Sequence, residues 1–209
     1  MDRISKTIAA YDKACGAFND KFREFPPYVE KVKDFIELLE PGMKVLDLGC
    51  GPGNVSRQLM LSGKEFRIEG IDLSEEMVKL ARKNVPSGNF SCGDIRDISF
   101  AGESFAAVFL SFCIVHLNES EMADLLAKVS GYLKRGGLLY VSFMEGKKDG
   151  FERTSFSEDE IFYCYHSSEK VEKILKDNHL SIKSLSKQGY IESDGSVTTD
   201  VFIFAVKQG

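Results

Sequence analysis

The stretch Lys44-Val45-Leu46-Asp47-Leu48-Gly49-Cys50-Gly51-Pro52-Gly53-Asn54 decides how the chain is read. Val45, Leu46 and Leu48 form an apolar run that carries one carboxylate, Asp47, and ends in Gly49, Gly51 and Gly53, after which a helical pattern begins. That order is a strand, a tight turn and a helix start. Glycine reaches positive φ and has no Cβ, so glycines at alternate positions let a loop close on a bound molecule. A plain turn between a buried strand and a helix is the alternative. The spacing excludes two nucleotide sites: a dinucleotide loop needs Gly-x-Gly-x-x-Gly and a triphosphate loop needs Gly-Lys-Ser/Thr. Here the third glycine falls one place early, Asn54 stands where it is expected, and no lysine lies between Gly49 and Arg57. A carboxylate at Asp47 would repel a pyrophosphate but suits a cationic ligand.

In these residues the chain resembles the class I S-adenosylmethionine-dependent methyltransferases, whose first motif is acidic-x-Gly-x-Gly-x-Gly after a hydrophobic strand. The resemblance implies a cofactor with an amine and a sulfonium and no phosphate, S-adenosyl-L-methionine, released as S-adenosyl-L-homocysteine.

Composition bounds the rest. The 209 residues, 43% hydrophobic and 28% charged, can bury a full core, and we expect one domain. A formal charge of −5 with no block of lysines or arginines gives no reason to expect a nucleic-acid partner, which leaves a small molecule as the expected substrate. No signal-peptide core and no spanning apolar segment is visible, so the expected location is the cytoplasm with no membrane contact. The cysteines, Cys15, Cys50, Cys92, Cys113 and Cys164, show no Cys-x-x-Cys pair, which speaks against a zinc site or a disulfide framework.

Before the glycine stretch, Ile4, Ile8, Tyr11, Cys15, Phe18, Phe22 and Phe25 recur in steps of three and four, predicting one amphipathic helix with a break near Gly16. Core packing is the expected use of such a stripe. A second helix is predicted over residues 28–40, with Val29, Val32, Phe35, Ile36 and Leu39 inward. Phe25-Pro26-Pro27-Tyr28 superficially matches the polar-Pro-Pro-aromatic string of adenine-amine methylating enzymes. Phe25 offers no oxygen to accept from an amino group, so the string reads as a helix break. In the family such a segment often lies over the cofactor. The resemblance therefore makes residues 1–40 a helical lid within the same domain as a cofactor-binding unit at 41–209, and makes Tyr11 and Tyr28 candidate substrate or cofactor contacts.

After the glycines, Phe66 to Ile71 reads as a strand ending in Asp72, 23 residues after Gly49. Doubly wound folds place a ribose-binding acid roughly 20 residues on. Asp72 is thus the ribose candidate, with helix capping by Asp72 or Ser74 as the other reading. The block from Asp72 to Arg82 resembles the family's second motif, in which Leu73 and Met77 would wall the adenine. Gly93-Asp94-Ile95 resembles the block whose carboxylate receives the adenine amino group and whose next amide meets the ring. The apolar run from Phe105 reads as a central parallel strand. The turn after it resembles the family's fourth motif and places Ser111, Phe112 and His116 near the transferred methyl. Of these, His116 is the candidate proton acceptor, with a structural role, which the resemblance implies for a histidine at this turn, as the other reading. His166 is a weaker one, and His179 reads as a helix cap.

Leu133-Lys134-Arg135-Gly136-Gly137 matches a further family block and leads into a strand over residues 138–143. Residues 145–160 read as an irregular mobile loop, Ser168 as the cap of a helix to Asp177, and residues 181–206 as two strands turning at Asp194-Gly195. The expected fold is α/β: a doubly wound, seven-stranded, mostly parallel, Rossmann-like sheet with an N-terminal helical lid. Asp47, Gly49, Gly51, Asp72, Leu73, Met77, Asp94, Ile95 and Ser111 are its expected cofactor-binding residues; Tyr11, Tyr28 and Phe112 are its substrate candidates, and no metal is expected. The expected activity is methyl transfer to a small molecule. A non-catalytic cofactor-binding module and an NAD-dependent oxidoreductase are the alternatives, the latter against the glycine spacing.

Overall fold

Val45, Leu46 and Leu48 are fully buried because their strand has neighbours on both edges and helices on both faces. In the computed structural model, which describes residues 2–192 and 195–209, the chain runs α1 (Arg3–Phe22), α2 (Pro26–Ile36), β1 (Lys44–Leu48), α3 (Asn54–Leu61), β2 (Arg67–Asp72), α4 (Glu75–Asn84), β3 (Asn89–Cys92) and β4 (Phe105–Ser111). A 3-10 turn (Ile114–His116) follows, then α5 (Glu119–Tyr132), β5 (Leu133–Glu145), β6 (Gly150–Thr154), β7 (Ser157–Tyr163), α6 (Ser168–Asp177), β8 (Leu180–Ile191) and β9 (Val197–Lys207).

Seven strands form one sheet in the order β3-β2-β1-β4-β5-β9-β8, parallel except where β9 runs antiparallel to both β5 and β8. This is the expected fold. Alternation along β1 sends Val45 to one core, with Phe35 of α2, Leu59 of α3 and Val78 of α4, and Leu46 to the other, with Leu125 of α5 and Leu175 of α6. Each such side chain taken wholly out of water contributes about 1.5–3 kcal/mol. The strand order reverses between β1 and β4, and a crevice opens there above the strands' C-terminal ends.

Four local expectations are corrected. Helix α1 passes through Gly16 unbroken, because it is tied on both sides: Ser74 Oγ donates to Asp12 at 2.5 Å and Asn84 Nδ2 to Asn19 at 2.9 Å. Helix α2 begins at Pro26, where a missing N–H costs nothing, and ends at Ile36. Residues 145–160 are not an irregular loop, since β6 and β7 form a two-stranded hairpin that packs on α1. Helix α6 is not capped by Ser168; the Glu145 carboxylate accepts from the Ser168 amide at 2.8 Å and from its hydroxyl at 3.1 Å. Gly195 has a positive φ of 82°, as a turn there requires, while Asp194 lies outside the described residues.

Gly49 has φ of 66°, and a Cβ built on it would run into the Cβ of Cys113. Gly49→Ala should therefore destabilise the fold by about 1–3 kcal/mol, read as a lower urea midpoint at unchanged slope.

Candidate functional site

All thirteen residues singled out from the sequence, from Tyr11 to His116, line one cavity of about 280 Å³ above the crevice. Its floor is the glycine loop. The amides of Gly49 and Cys50 donate to the Ile71 carbonyl at 2.8 and 3.0 Å, and Gly51 N–H donates to Asp72 Oδ2 at 2.7 Å. Asp72 also accepts from Ser74 N–H at 2.9 Å, while Ser74 caps α4 by accepting from Met77 N–H at 3.1 Å. The capping alternative for this segment thus falls to Ser74, and Asp72 is left facing the cavity. Burial pushes its carboxyl above the usual range.

Asp47 is 1% exposed. Ser56 Oγ donates to its Oδ2 at 2.6 Å, whereas Oδ1 has no partner, and burial pushes the carboxyl up to about 7. On the same wall, Asn54 Oδ1 and Gln58 Nε2 also lack partners. A buried carboxylate normally has its lone pairs satisfied. At the far end, Arg96 grips Asp94, with its Nε 2.9 Å from Oδ1, and continues through Nη1 to Glu121 at 2.8 Å. Arg3 of α1 closes this chain on Glu121 at 2.8 Å, and the guanidinium of Arg96 holds the Asp94 carboxyl below its ordinary range.

The roof is α1. Its apolar stripe does not enter the core as expected: Ile4, Ile8, Tyr11, Phe18 and Phe22 are half-buried and line the cavity, while Thr7, Ala10, Ala14 and Asn19 are the buried residues. Phe156, at the β6–β7 turn, stacks on Tyr11 at 5.9 Å and meets Phe18 edge-on at 5.1 Å, so the hairpin holds the roof down. Tyr11 Oη lies 3.1 Å from His116 Nε2, and His116 Nδ1 lies 3.1 Å from the Phe162 carbonyl. A carbonyl only accepts, so Nδ1 carries the proton and Nε2 accepts from Tyr11. Burial drives the imidazole down to about 4, leaving it neutral near pH 7. His166 sits outside the cavity with Nε2 2.9 Å from the Ile114 carbonyl, and His179 follows the C-cap of α6 at φ 59°.

Beyond Ser111 the cavity continues as a chamber lined by aromatic rings. Phe112 has φ of 51°, a conformation rare for a bulky side chain, and is held there by its N–H donating to Ser142 O at 3.1 Å and Oγ at 3.0 Å. Its ring lies 4.7 Å from Tyr28, whose hydroxyl donates to Asp200 at 2.9 Å. Asp200, Tyr190 and Gln58 were not found from the sequence; for Asp200 the available signal was one carboxylate directly before the apolar run from Val201 to Val206.

A family model described as a methyltransferase domain matches residues 45–137. The carboxy-S-adenosyl-L-methionine synthase of Shewanella pealeana is 31% identical over 194 residues, covering 87% of this chain and 70% of that protein. This chain belongs to the class I S-adenosylmethionine-dependent methyltransferases. Solved structures show the same fold: a Methanosarcina mazei S-adenosylmethionine-dependent methyltransferase has a TM-score of 0.71 at 19% identity, covering 84% of this chain and 97% of its own. The 1,6-didemethyltoxoflavin-N1-methyltransferase of Burkholderia thailandensis, solved with its substrate and S-adenosylhomocysteine, has a TM-score of 0.71 at 15% identity, covering 98% and 87%.

The methyltransferase is an enzyme whose cofactor is S-adenosylmethionine. Its residues fit that group: Asp47 offers a buried carboxylate oxygen without a partner, Gln58 offers an unused amide donor on the same wall, and Gly51 presents backbone alone to the trench. Among the described residues no helix is long and apolar enough to cross a membrane, and no cluster of His, Cys, Asp or Glu could hold a metal.

The depressed His116 predicts a pH effect. A histidine whose folded value lies near 4 instead of 6.5 stabilises the fold fully above pH 6.5, and that stability is lost as pH falls towards 4. From pH 7 to 4.5 the methyltransferase should lose about 2–3 kcal/mol relative to its His116→Gln variant in paired denaturation curves.

Proposed function

We propose that this chain transfers the methyl group of S-adenosylmethionine to a small-molecule acceptor held in the aromatic chamber. The observation that carries the reading is the buried, unpartnered Asp47 Oδ1 at the head of the glycine loop, a site suited to an ammonium and hostile to a phosphate. Asp47 then meets the cofactor's amine, with Gln58 at its carboxylate end. Asp72 accepts from the two ribose hydroxyls, using lone pairs left over from Gly51 and Ser74. Leu73 and Met77 wall the adenine, the Asp94 carboxylate held by Arg96 receives its amino group, and the Ile95 amide meets the ring. Gly49 and Gly51 line the trench with backbone alone, and Ser111 marks the passage to the acceptor.

When bound, the cofactor supplies a sulfonium whose methyl is already activated. What remains for the chain is to hold an acceptor atom about 3–3.5 Å from that methyl, in line and out of water. Tyr28 and Phe112 form the wall that does so, while α1, through Tyr11, shuts the trench above. His116 stands at the methyl end but accepts from Tyr11 and is a weak base, so we assign it to holding the roof closed in preference to removing the acceptor's proton. Helix α1 is the lid; α2, though within residues 1–40, packs in the core and belongs to the same domain as residues 41–209. Five free cysteines accord with a cytoplasmic location.

Calorimetric titration with S-adenosylmethionine, S-adenosylhomocysteine and NADH tests the reading: the first two should bind and NADH should not. Asp72→Ala should weaken S-adenosylhomocysteine about 10- to 150-fold, as loss of charge-assisted hydrogen bonds requires, and unchanged affinity would remove Asp72 from the ribose. Because a cationic amine binds the ionised Asp47, affinity should rise with pH up to about 7 and fall again once the amine itself loses its proton. Asp47→Asn should flatten that profile.

A further inference from the structure

Asp200 is the most exceptional group that the cofactor reading leaves unused. It lies on β9 opposite Met144 of β5 and Gln188 of β8, is 1% exposed, and lines the chamber. Its partners are neutral, the Tyr28 hydroxyl at 2.9 Å and the Gln188 side chain, and among the described residues no cation lies within 4 Å of it. A buried carboxylate without a counter-ion is costly, and such groups are ordinarily paired. Tyr28 spends its proton on Asp200, so the carboxylate acts here as an acceptor.

Around it the chamber is aromatic and carries both acids and bases. Tyr28 packs between Phe112 at 4.7 Å, Phe22 at 5.9 Å and Tyr190 at 6.4 Å. Glu192, which accepts from Thr198 at 2.6 Å, lies close enough to raise the carboxyl of Asp200 and the hydroxyls of Tyr28 and Tyr163. Glu152 accepts from Tyr165 at 2.8 Å. Lys147 serves both glutamates, at 3.6 and 4.0 Å, and leaves Asp200 unserved. The rim carries Arg153 and Lys21, and the Lys21 ammonium sits over the rings of Phe22 and Tyr190 at 5.0 and 5.6 Å. Those rings thus already present the faces that attract a cation.

We propose that the acceptor is an alkyl amine, bound as its ammonium in the chamber that Tyr28, Phe112 and Tyr190 line, with Asp200 as counter-ion, and methylated on nitrogen. The proposal rests on the cofactor reading above and names the substrate class of that site. An anionic acceptor placed against Asp200 would meet a carboxylate that no cation among the described residues neutralises. An alcohol would need a far stronger base than any carboxylate present, whereas an ammonium loses its proton more easily once desolvated. The step balances: Asp200 takes one proton from the ammonium, and the freed nitrogen pair forms the N–C bond as the S–C bond breaks with its electrons passing to sulfur. The positive charge ends on the methylated nitrogen, and the proton on Asp200 is released to water.

The test uses three molecules of similar shape and different charge, tetramethylammonium, tert-butanol and pivalate, titrated calorimetrically into the protein saturated with S-adenosylhomocysteine, so that Asp47 is already engaged. Tetramethylammonium should bind about tenfold or more tighter than the other two. Asp200→Asn and, separately, Tyr190→Leu should abolish that preference while S-adenosylhomocysteine affinity holds within about twofold. Tyr190 is half-exposed, so its variant decides the matter should Asp200→Asn fail to fold. Equal binding of the three, a preference for pivalate, or an unchanged preference in a folded variant would overturn the proposal alone. Failure of S-adenosylhomocysteine to bind would overturn the cofactor reading, and this one with it.

Discussion

The Gly51 amide donating to Asp72 Oδ2 at 2.7 Å is the contact on which the rest depends. It draws the loop after β1 against the end of β2, while Gly49 and Cys50 reach the Ile71 carbonyl beside it. The loop can lie so close only because Gly49 has no side chain to meet Cys113 at the end of β4. One tight turn therefore ties together the C-terminal ends of three parallel strands. Asp72 is held on the trench side, α3 starts pointing away from it, and the open space of the crevice lies above the loop.

The roof follows from a different balance. An amphipathic helix normally gains its stability by pressing its apolar stripe into a core. Here the stripe of α1 faces a cavity, and the helix is held by polar ties along its length: Arg3 to Glu121, Tyr11 to His116, Asp12 to Ser74 and Asn19 to Asn84. Each tie is worth about 1 kcal/mol, so the roof rests on several weak bonds and the Phe156 cluster instead of on wholesale burial. An element fastened in this way opens at lower free energy than the sheet beneath it, which suits a site whose contents must enter and leave.

Local grammar made the floor readable. The glycines, the acid before them and the acid at the end of the next strand sit in contiguous motifs, and their positions in the sheet are dictated by connectivity once the alternation of strands and helices is recognised. The chamber was readable only in part: Tyr28 and Phe112 were candidates through the family resemblance, but Asp200, Tyr190 and Glu152 come from β9, β8 and the β6–β7 hairpin, and nothing in the residues near Asp200 says that Tyr28, some 172 positions away, will donate to it. The stripe of α1 was visible as a pattern, but periodicity reports only that a face is apolar. Whether that face meets a core or a cavity depends on the partner. Residues 145–160 read as irregular because the charges at Glu152, Arg153, Glu158, Asp159 and Glu160 hide the alternation of β6 and β7; both faces of that hairpin are partly exposed, so its strand signal is weak.

The trench therefore carries its charges in a graded order. Asp94 at one end is neutralised by Arg96; Asp72 in the middle is satisfied by backbone amides; Asp47 retains one unpartnered oxygen; and Asp200 at the far end has neutral partners alone. Burial raises the carboxyls of the last three, each at some expense to the fold, and among the described residues no fixed cation pairs with any of them. For the stability of the empty core alone, burying three carboxylates without counter-ions is unfavourable, even where Asp72 also anchors the glycine loop. Their retention is intelligible if the missing positive charge arrives with what the trench binds. Under that constraint the same carboxylates that weaken the empty protein select, by charge, both molecules that enter it.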